Sequence, residues 1–183
     1  MTARSFLFLL GSSRADGNTE DLARLAAEQL PTGTEQRWLN LSEPALPDFE
    51  DLRHEGDGSY PAPTGHAATL LEATLGATDL VLASPLYWYA MSTSTKRYLD
   101  HWSGWMRVPG VDFRERMTGR TLWGVTSLAT ADRSVAEPAT GTLRTIASYM
   151  RMEWGGMLLG TGNRPGDVLN DPATTAHAKH FFG

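Results

Sequence analysis

The sequence predicts an α/β protein in which a doubly wound, five-stranded parallel sheet carries helices on both faces. Strand-like and helix-like segments alternate along the 183 residues, a pattern typical of parallel sheets built from strand–helix–strand units. Two predicted strands, Ser5–Leu10 and Asp79–Ala83, are almost wholly apolar, as expected of strands covered on both faces. No repeat and no long linker divides the chain, so we expect residues 1–183 to form a single domain.

The individual elements follow from apolar spacing and from the residues that begin or end each segment. Short apolar runs predict strands over residues 5–10, 34–41, 79–83, 120–126 and 153–159. Apolar residues at helical spacing predict helices over residues 19–30, 66–75, 138–149 and 171–182, and one that begins near Ser92. Pro31 and Gly76 end the first two helices, and Pro138 suits the first turn of the fourth. Residues 42–65 are a predicted polar loop.

Charge and composition exclude several classes of protein. The net charge of -5 argues against nucleic acid as a partner, because that requires a concentrated basic face. The chain contains no cysteine, which removes disulfides, thiolate catalysis and iron–sulfur ligation, and its five histidines show no metal-ligand spacing. No apolar segment approaches the roughly 20 residues that span a bilayer. We therefore expect a cytoplasmic protein with no membrane span and no metal.

The loop between the first strand and the first helix, residues 11–18, has the composition of a phosphate cradle. Backbone N–H groups at a helix N-terminus attract anions, and this loop adds donors and one cation from Ser12, Ser13, Arg14, Asn18 and Thr19. The spacing of its glycines does not fit a nucleoside triphosphate loop, since Asn18 stands where the lysine belongs. A dinucleotide fingerprint also fails, because Ser13 interrupts it. The loop favours a single phosphomonoester; the alternative is an ordinary turn with Asn18 as the helix cap.

A second loop, residues 84–91, follows the third predicted strand and carries three consecutive aromatic residues, Tyr87, Trp88 and Tyr89. Loops lie at the surface, so at least one ring should be exposed unless a ligand covers it. A planar ligand could pack against these rings; alternatively, Tyr87 and Trp88 are core residues beneath the next helix. Ligands of such sheets bind at the carboxyl ends of the strands, where residues 11–18, 84–91 and 126–137 should meet.

The first loop, the second loop with Ser84-Pro85-Leu86-Tyr87-Trp88-Tyr89-Ala90-Met91-Ser92, and the segment Lys96-Arg97-Tyr98-Leu99-Asp100 together resemble one family. The resemblance is to the flavodoxin-fold NAD(P)H-dependent FMN reductases and quinone reductases. Residues 113–117 and 163–167 also resemble segments of this family. The resemblance implies a flavodoxin-like FMN-binding domain, with NADPH or NADH as co-substrate. It implies that the phosphate is held by Ser12, Ser13, Arg14, Gly17, Asn18 and Thr19, and that the ring is contacted by Pro85, Leu86, Tyr87, Trp88 and Ser127.

The family further implies an enzyme that takes electrons from a nicotinamide cofactor through FMN to a small acceptor such as a quinone, free flavin or an azo or nitro compound. No side chain needs to act as a nucleophile, because the flavin carries the chemistry. One alternative is a flavodoxin-type electron carrier for a protein partner, although such carriers are usually more acidic. A second alternative is a flavin-binding or regulatory module without turnover. We also expect a homodimer, for which Trp102 and Trp105, leading into residues 106–111, would supply the partner surface.

Overall fold

The computed structural model describes residues 3–183 and contains seven strands and six α-helices within that range. The strands are β1 (Ser5–Leu10), β2 (Glu35–Asn40), β3 (Asp79–Ala83), β4 (Leu86–Tyr87), β5 (Ala90–Met91), β6 (Thr121–Leu128) and β7 (Glu153–Thr161). The helices are α1 (Asn18–Ala27), α2 (Gly65–Gly76), α3 (Thr93–Trp105), α4 (Phe113–Met117), α5 (Glu137–Tyr149) and α6 (Pro172–Ala178). Two short 3₁₀ turns, Arg133–Ala136 and Asp167–Asn170, precede α5 and α6.

The main sheet has the strand order β2-β1-β3-β6-β7, and all of its neighbouring strands are parallel. The chain moves outward from β1 to β2 and then returns to β3 on the other side of β1, so the order reverses between β1 and β3. This is the five-stranded doubly wound sheet that the sequence predicts. The reversal point is where such sheets bind their ligands.

The structure departs from the predicted elements in length and in two short additions. The β6 and β7 strands continue to Leu128 and Thr161 because they pair along their whole length. The last helix ends at Ala178 rather than at residue 182. The hairpin of β4 and β5 and the helix α4 were not predicted, since segments of two to five residues carry too little periodicity to detect.

Each face of the sheet packs against its own group of helices. One apolar cluster lies under α1 and α6 and includes Leu22, Val168 and Phe182. The other lies under α2, α3, α4 and α5 and includes Leu70 and Phe113. The loop predicted as polar, residues 42–65, also buries Leu46, and Leu41 immediately before the loop is buried as well. Helices on both faces confirm the predicted fold class.

The tryptophans expected to form a partner surface lie instead inside this second cluster. Trp102 and Trp105 are each only 3% exposed. Both rings meet Tyr98 and Phe113 edge to face, with centroid distances between 5.4 and 5.7 Å. The interpretation of Trp102 and Trp105 as a dimer surface is wrong, because α3 turns this apolar side toward the sheet.

The amino ends of the strands, which we call the amino edge, are closed by a hydrogen-bonded network around Asp79. Its buried carboxylate accepts from Arg4 at 2.6 and 3.1 Å, from Thr78 Oγ1 at 2.7 Å and from Trp123 Nε1 at 2.9 Å. Burial raises the pKa of Asp79, but these hydrogen bonds outweigh it, and the pKa lies below its ordinary value. Arg4 also donates to the carbonyl of Phe182 at 2.7 Å, which fastens the C-terminal residues to the sheet.

Candidate functional site

Three loops converge at the carboxyl ends of the central strands, which we call the carboxyl edge. The strand ends are aligned by hydrogen bonds from Gly11 N to Ala83 O at 2.9 Å and from Ser84 N to Val125 O at 3.0 Å. Because β1, β3 and β6 are neighbours, residues 11–18, 84–91 and 126–137 leave the sheet side by side. The expected meeting of these loops is therefore confirmed.

The first loop leads into a helix start that lacks a side-chain cap. Helix α1 begins at Asn18, and its N-cap residue is Gly17, which makes no side-chain hydrogen bond. The N–H groups of the first turn therefore face the loop without a side-chain acceptor, as in an anion-binding helix terminus. Ser12 is nearly buried, and its hydroxyl accepts from Arg14 N at 3.0 Å, while Ser13 and the Arg14 side chain are exposed.

Asn18 and Thr19 are engaged by loops distant in sequence. The Asn18 Nδ2 group donates to Arg164 O at 2.8 Å, and its Oδ1 atom accepts from Val168 N at 3.3 Å. The hydroxyls of Thr19 and Ser127 lie 3.3 Å apart. Asn18 is therefore not the cap of α1, so the prediction of that cap is wrong. The first turn of α1 instead joins the loops that follow β6 and β7.

A layer of hydroxyl groups supports the site from below. Ser84 Oγ accepts from Ser92 N at 2.9 Å, and Ser92 is the N-cap of α3, where it accepts from Thr95 N at 3.3 Å. A Cβ atom on Gly11 would lie 2.0 Å from Thr95 Oγ1. Glycine is therefore required where β1 passes the start of α3. Sequence reasoning assigned these hydroxyls no role, although the run of Ser and Thr after the aromatic residues was a signal for them.

The second loop forms a hairpin of β4 and β5 that projects its aromatic residues. Trp88 and Tyr89 occupy its tip with φ values of 50° and 65°, the region required of both central residues in a type I′ turn and usually filled by Asn-Gly. Tyr87, Trp88 and Tyr89 are 50%, 93% and 57% exposed. The expectation of an exposed ring in this loop is confirmed.

A cleft of about 300 Å³ separates the hairpin from the third loop. The lining residues are Leu86, Trp88, Tyr89, Ser127, Leu128, Ala129, Thr130 and Val135. The cleft thus contains three of the residues assigned to the flavin ring, Leu86, Trp88 and Ser127. Pro85 is half-buried at the base of the hairpin.

The charges around the carboxyl edge are unevenly paired. Hydrogen bonds from Ser134 lower the pKa of Asp132, and the backbone N–H groups of Arg164 and Asn163 lower that of Asp167. Arg14 and Arg164 make no ion pair within the described residues 3–183. Two exposed cations therefore remain available near the first loop.

The same described range contains no group of three or more metal-ligating side chains. It also contains no helix that is both long enough and apolar enough to cross a membrane.

The arrangement fits FMN, because an uncapped helix start and hydroxyl donors suit its phosphate while a cleft beside aromatic residues suits its ring. The fold and this site define a flavodoxin-like α/β protein. The profile of the NADPH-dependent FMN reductase family matches residues 5–154, so the chain belongs to that family. It is an NAD(P)H-dependent flavin oxidoreductase with FMN as its cofactor.

Known proteins agree with this assignment. A Bacillus subtilis (strain 168) protein, YwqN, whose name describes an NAD(P)H-dependent FMN-containing oxidoreductase, is 31% identical over 94% of this chain and 93% of its own length. The solved structure of the Trp repressor binding protein from Bacillus subtilis has a TM-score of 0.75 at 24% identity, covering 97% of each chain. An FMN-dependent NADH-azoreductase from Bacillus anthracis, solved with FMN, has a TM-score of 0.63 at 12% identity, covering 98% of this chain and 100% of its own. These two structures support the fold.

Proposed function

We propose that the phosphate of FMN binds at the first loop and the ring binds between the hairpin and the third loop. The observation that carries this is the start of α1, where Gly17 leaves the first-turn N–H groups without a side-chain cap. Ser12, Ser13, Arg14 and Thr19 would add donors and charge around the phosphate, while Asn18 would contribute its backbone N–H. Pro85, Leu86, Tyr87, Trp88 and Ser127 would contact the ring.

Bound FMN would supply the redox chemistry, accepting electrons from NADPH or NADH and passing them to the acceptor. The protein would orient both reactants at the open cleft, with Trp88 and Tyr89 along one wall and residues 128–130 along the other. Planar aromatic acceptors such as quinones, free flavins and azo or nitro compounds fit this environment, since rings stack on exposed aromatic side chains. Structural neighbours that include an FMN-dependent azoreductase and an NADPH-quinone reductase support this acceptor class.

The FMN assignment predicts a phosphate-dependent affinity. The purified protein should be yellow, or become so with FMN, at a stoichiometry of about one FMN per chain. It should bind FMN at least about tenfold more tightly than riboflavin, because charge-assisted hydrogen bonds to the phosphate contribute ~1.5–3 kcal/mol each. Calorimetry with both flavins measures this difference, and equal affinities would contradict the phosphate site.

Anaerobic addition of NADH and of NADPH distinguishes an enzyme that turns over from an electron carrier. We expect the flavin absorption to bleach with at least one of them and to return when a quinone is added. Bleaching by a protein reductant alone would favour the carrier. The cytoplasmic location and the single domain over residues 1–183 stay predictions.

We also propose a homodimer, now based on the hairpin rather than on Trp102 and Trp105. Tyr87, Trp88 and Tyr89 form an exposed aromatic surface beside the cleft, and aromatic residues are enriched in protein interfaces. Light scattering at micromolar concentration should give twice the mass of one 20.0 kDa chain. The mass of a single chain would contradict the dimer.

A further inference from the structure

Residues 163–167 have no ligand contact in the proposed function, yet they are joined to the start of α1. Asn18, only 9% exposed, uses both ends of its amide to hold this loop, through Arg164 O and Val168 N. Arg164 O also accepts from Asp167 N at 3.1 Å. The segment is therefore fixed beside the same first turn whose N–H groups face the first loop.

Two glycines at the end of β7 allow this close approach. A Cβ atom on Gly162 would lie 2.8 Å from Val168 N and 2.9 Å from Asn18 Nδ2. A Cβ atom on Gly160 would lie 2.4 Å from Val168 Cγ2 and 2.8 Å from Leu22 Cδ2. Any larger side chain would push the loop away from α1, so the spacing Gly-Thr-Gly serves this contact.

The loop is ordered internally by Asp167. Its carboxylate accepts from Arg164 N at 2.7 Å and from Asn163 N at 3.1 Å. The Asp167 carboxylate is thus stabilised by backbone N–H donors. Within the described residues it makes no ion pair with a guanidinium. The exposed Arg164 side chain makes no hydrogen bond or ion pair to any residue from 3 to 183. Its backbone is held in place while its charge stays available.

We propose that residues 163–167 form a further wall of the flavin phosphate site, in which Arg164 is the second phosphate-binding cation beside Arg14. In this arrangement Asn18 is a positioning residue: its amide places Arg164 rather than contacting the phosphate. The inference rests on the proposed function, because it concerns the same phosphate. The ligand chemistry is a phosphate monoester, which both FMN and the 2′-position of NADPH carry, and we assign the one on FMN.

Arg164→Ala tests the cation directly. We expect the FMN dissociation constant, measured by flavin fluorescence, to rise about tenfold at low salt, with riboflavin affinity unchanged. The matched control is Arg144→Ala, which removes another exposed arginine from the middle of α5 and should change neither affinity. An equal loss for both flavins, or no loss of FMN affinity, would overturn the assignment of Arg164.

Asp167→Asn separates positioning from simple charge effects, since the two predict opposite signs. Removal of a negative charge near the phosphate would tighten FMN binding if only long-range electrostatics acted. We expect weaker FMN binding instead, because the backbone of Asn163 and Arg164 loses its ionised acceptor. Tighter or unchanged binding would overturn the positioning role of the loop.

A double-mutant cycle tests Asn18. If Asn18 acts by placing Arg164, the double variant Asn18→Ala with Arg164→Ala should bind FMN about as weakly as Asn18→Ala alone. Losses that multiply would show that Asn18 contacts the phosphate independently, which contradicts the proposal. Riboflavin affinity reports whether each variant keeps a folded site.

Steady-state kinetics with NADPH and with NADH identify whether Arg164 binds the phosphate of FMN or the 2′-phosphate of NADPH. With FMN saturating, a higher KM for NADPH in Arg164→Ala, an unchanged KM for NADH and an unchanged FMN affinity would assign the arginine to the dinucleotide and overturn the proposal.

Flavin binding by the wild-type protein separates the failure of the proposed phosphate site from the failure of the role given to residues 163–167. Equal binding of FMN and riboflavin there would defeat the proposed phosphate site itself, whereas normal discrimination with unaffected variants defeats only the role of residues 163–167.

Discussion

The amino edge and the carboxyl edge are built from the same five strands but treat polar and aromatic groups in opposite ways. At the amino edge, Asp79 accepts four hydrogen bonds and the Trp123 ring is only 7% exposed. At the carboxyl edge, the first turn of α1 lacks a side-chain cap and Trp88 is 93% exposed. The amino edge pairs its polar groups and buries its aromatic ring within the protein, whereas the carboxyl edge leaves backbone N–H groups and an aromatic ring open to a ligand.

Left-handed backbone at residues other than glycine is more frequent at the carboxyl edge. Of the five such residues within the described range, Asp16, Trp88 and Tyr89 lie in loops of that edge with φ values between 50° and 65°, whereas Asp112 and Arg151 precede α4 and β7. Such conformations are costly for residues other than glycine, and they cluster at functional sites. The comparison therefore assigns stability mainly to the amino edge and the helix cores, and binding mainly to the carboxyl edge.

The largest expected effect separates a core tryptophan from a hairpin tryptophan. Trp105→Ala should cost about 3–5 kcal/mol of apo-protein stability, since it empties a buried volume next to Tyr98 and Phe113. Trp88→Ala should cost less than ~0.5 kcal/mol, but should weaken FMN binding and shift the flavin spectrum. Denaturant unfolding and FMN titration of both variants measure the contrast, with Tyr87→Ala as a second hairpin variant. A strongly destabilised apo protein with unchanged FMN affinity in both hairpin variants would show that these aromatics are core residues.

A smaller effect should mark the amino edge. Asp79→Asn should lower the free energy of unfolding by about 2 kcal/mol near neutral pH, because charge-assisted hydrogen bonds are lost. The loss is no larger because Arg4 is partly exposed, and solvent screens its charge. FMN affinity should not change. Because the folded pKa of Asp79 is depressed, the difference between wild type and variant is fully present above about pH 4 and should disappear as the pH falls through the folded pKa.

Thermal unfolding from pH 7 to pH 3 measures that dependence. The control is Asp51→Asn. Asp51 forms an exposed ion pair with Arg53, only two positions away in the sequence, so removal of this ion pair should leave the melting temperature nearly unchanged. A difference between wild type and Asp79→Asn that does not shrink as the pH falls below about 4 would contradict the assigned role of the carboxylate.

The smallest expected effect tests the hairpin tip. Replacing Trp88-Tyr89 by Asn-Gly keeps the type I′ turn and relieves two unfavourable φ values, so apo stability should rise by about 1 kcal/mol. Turnover of planar aromatic acceptors should fall, whereas ferricyanide reduction should not. Asp112→Gly relieves a φ of 49° at the start of α4 and should raise stability without altering acceptor turnover. Reduced stability of the Asn-Gly variant would indicate that the aromatic rings hold the hairpin together.

Much of the fold and part of the site could be predicted from local sequence. Apolar runs located the five main strands to within a few residues, and their alternation with helices implied the parallel sheet. The glycines and hydroxyls of residues 11–18 indicated a phosphate site because helix-terminus chemistry is local. The aromatic run at residues 87–89 indicated an exposed ring, since it follows a buried strand within a loop.

Only the tertiary structure decided which partners the polar and aromatic side chains have. Asn18 reads from sequence as a helix cap or a phosphate donor, but its amide is used by residues 146 and 150 positions away in the chain. Trp88, Trp102 and Trp105 are alike as residues, yet one is exposed and two are buried. Trp102 and Trp105 are buried because α3 turns them toward the sheet, whereas Trp88 is exposed because it lies at the tip of the hairpin. Apolar spacing along a chain determines strands and helices, since their periodicity is local. Hydrogen-bond partners and exposure depend on contacts between segments that are distant in sequence, which only the folded chain brings together.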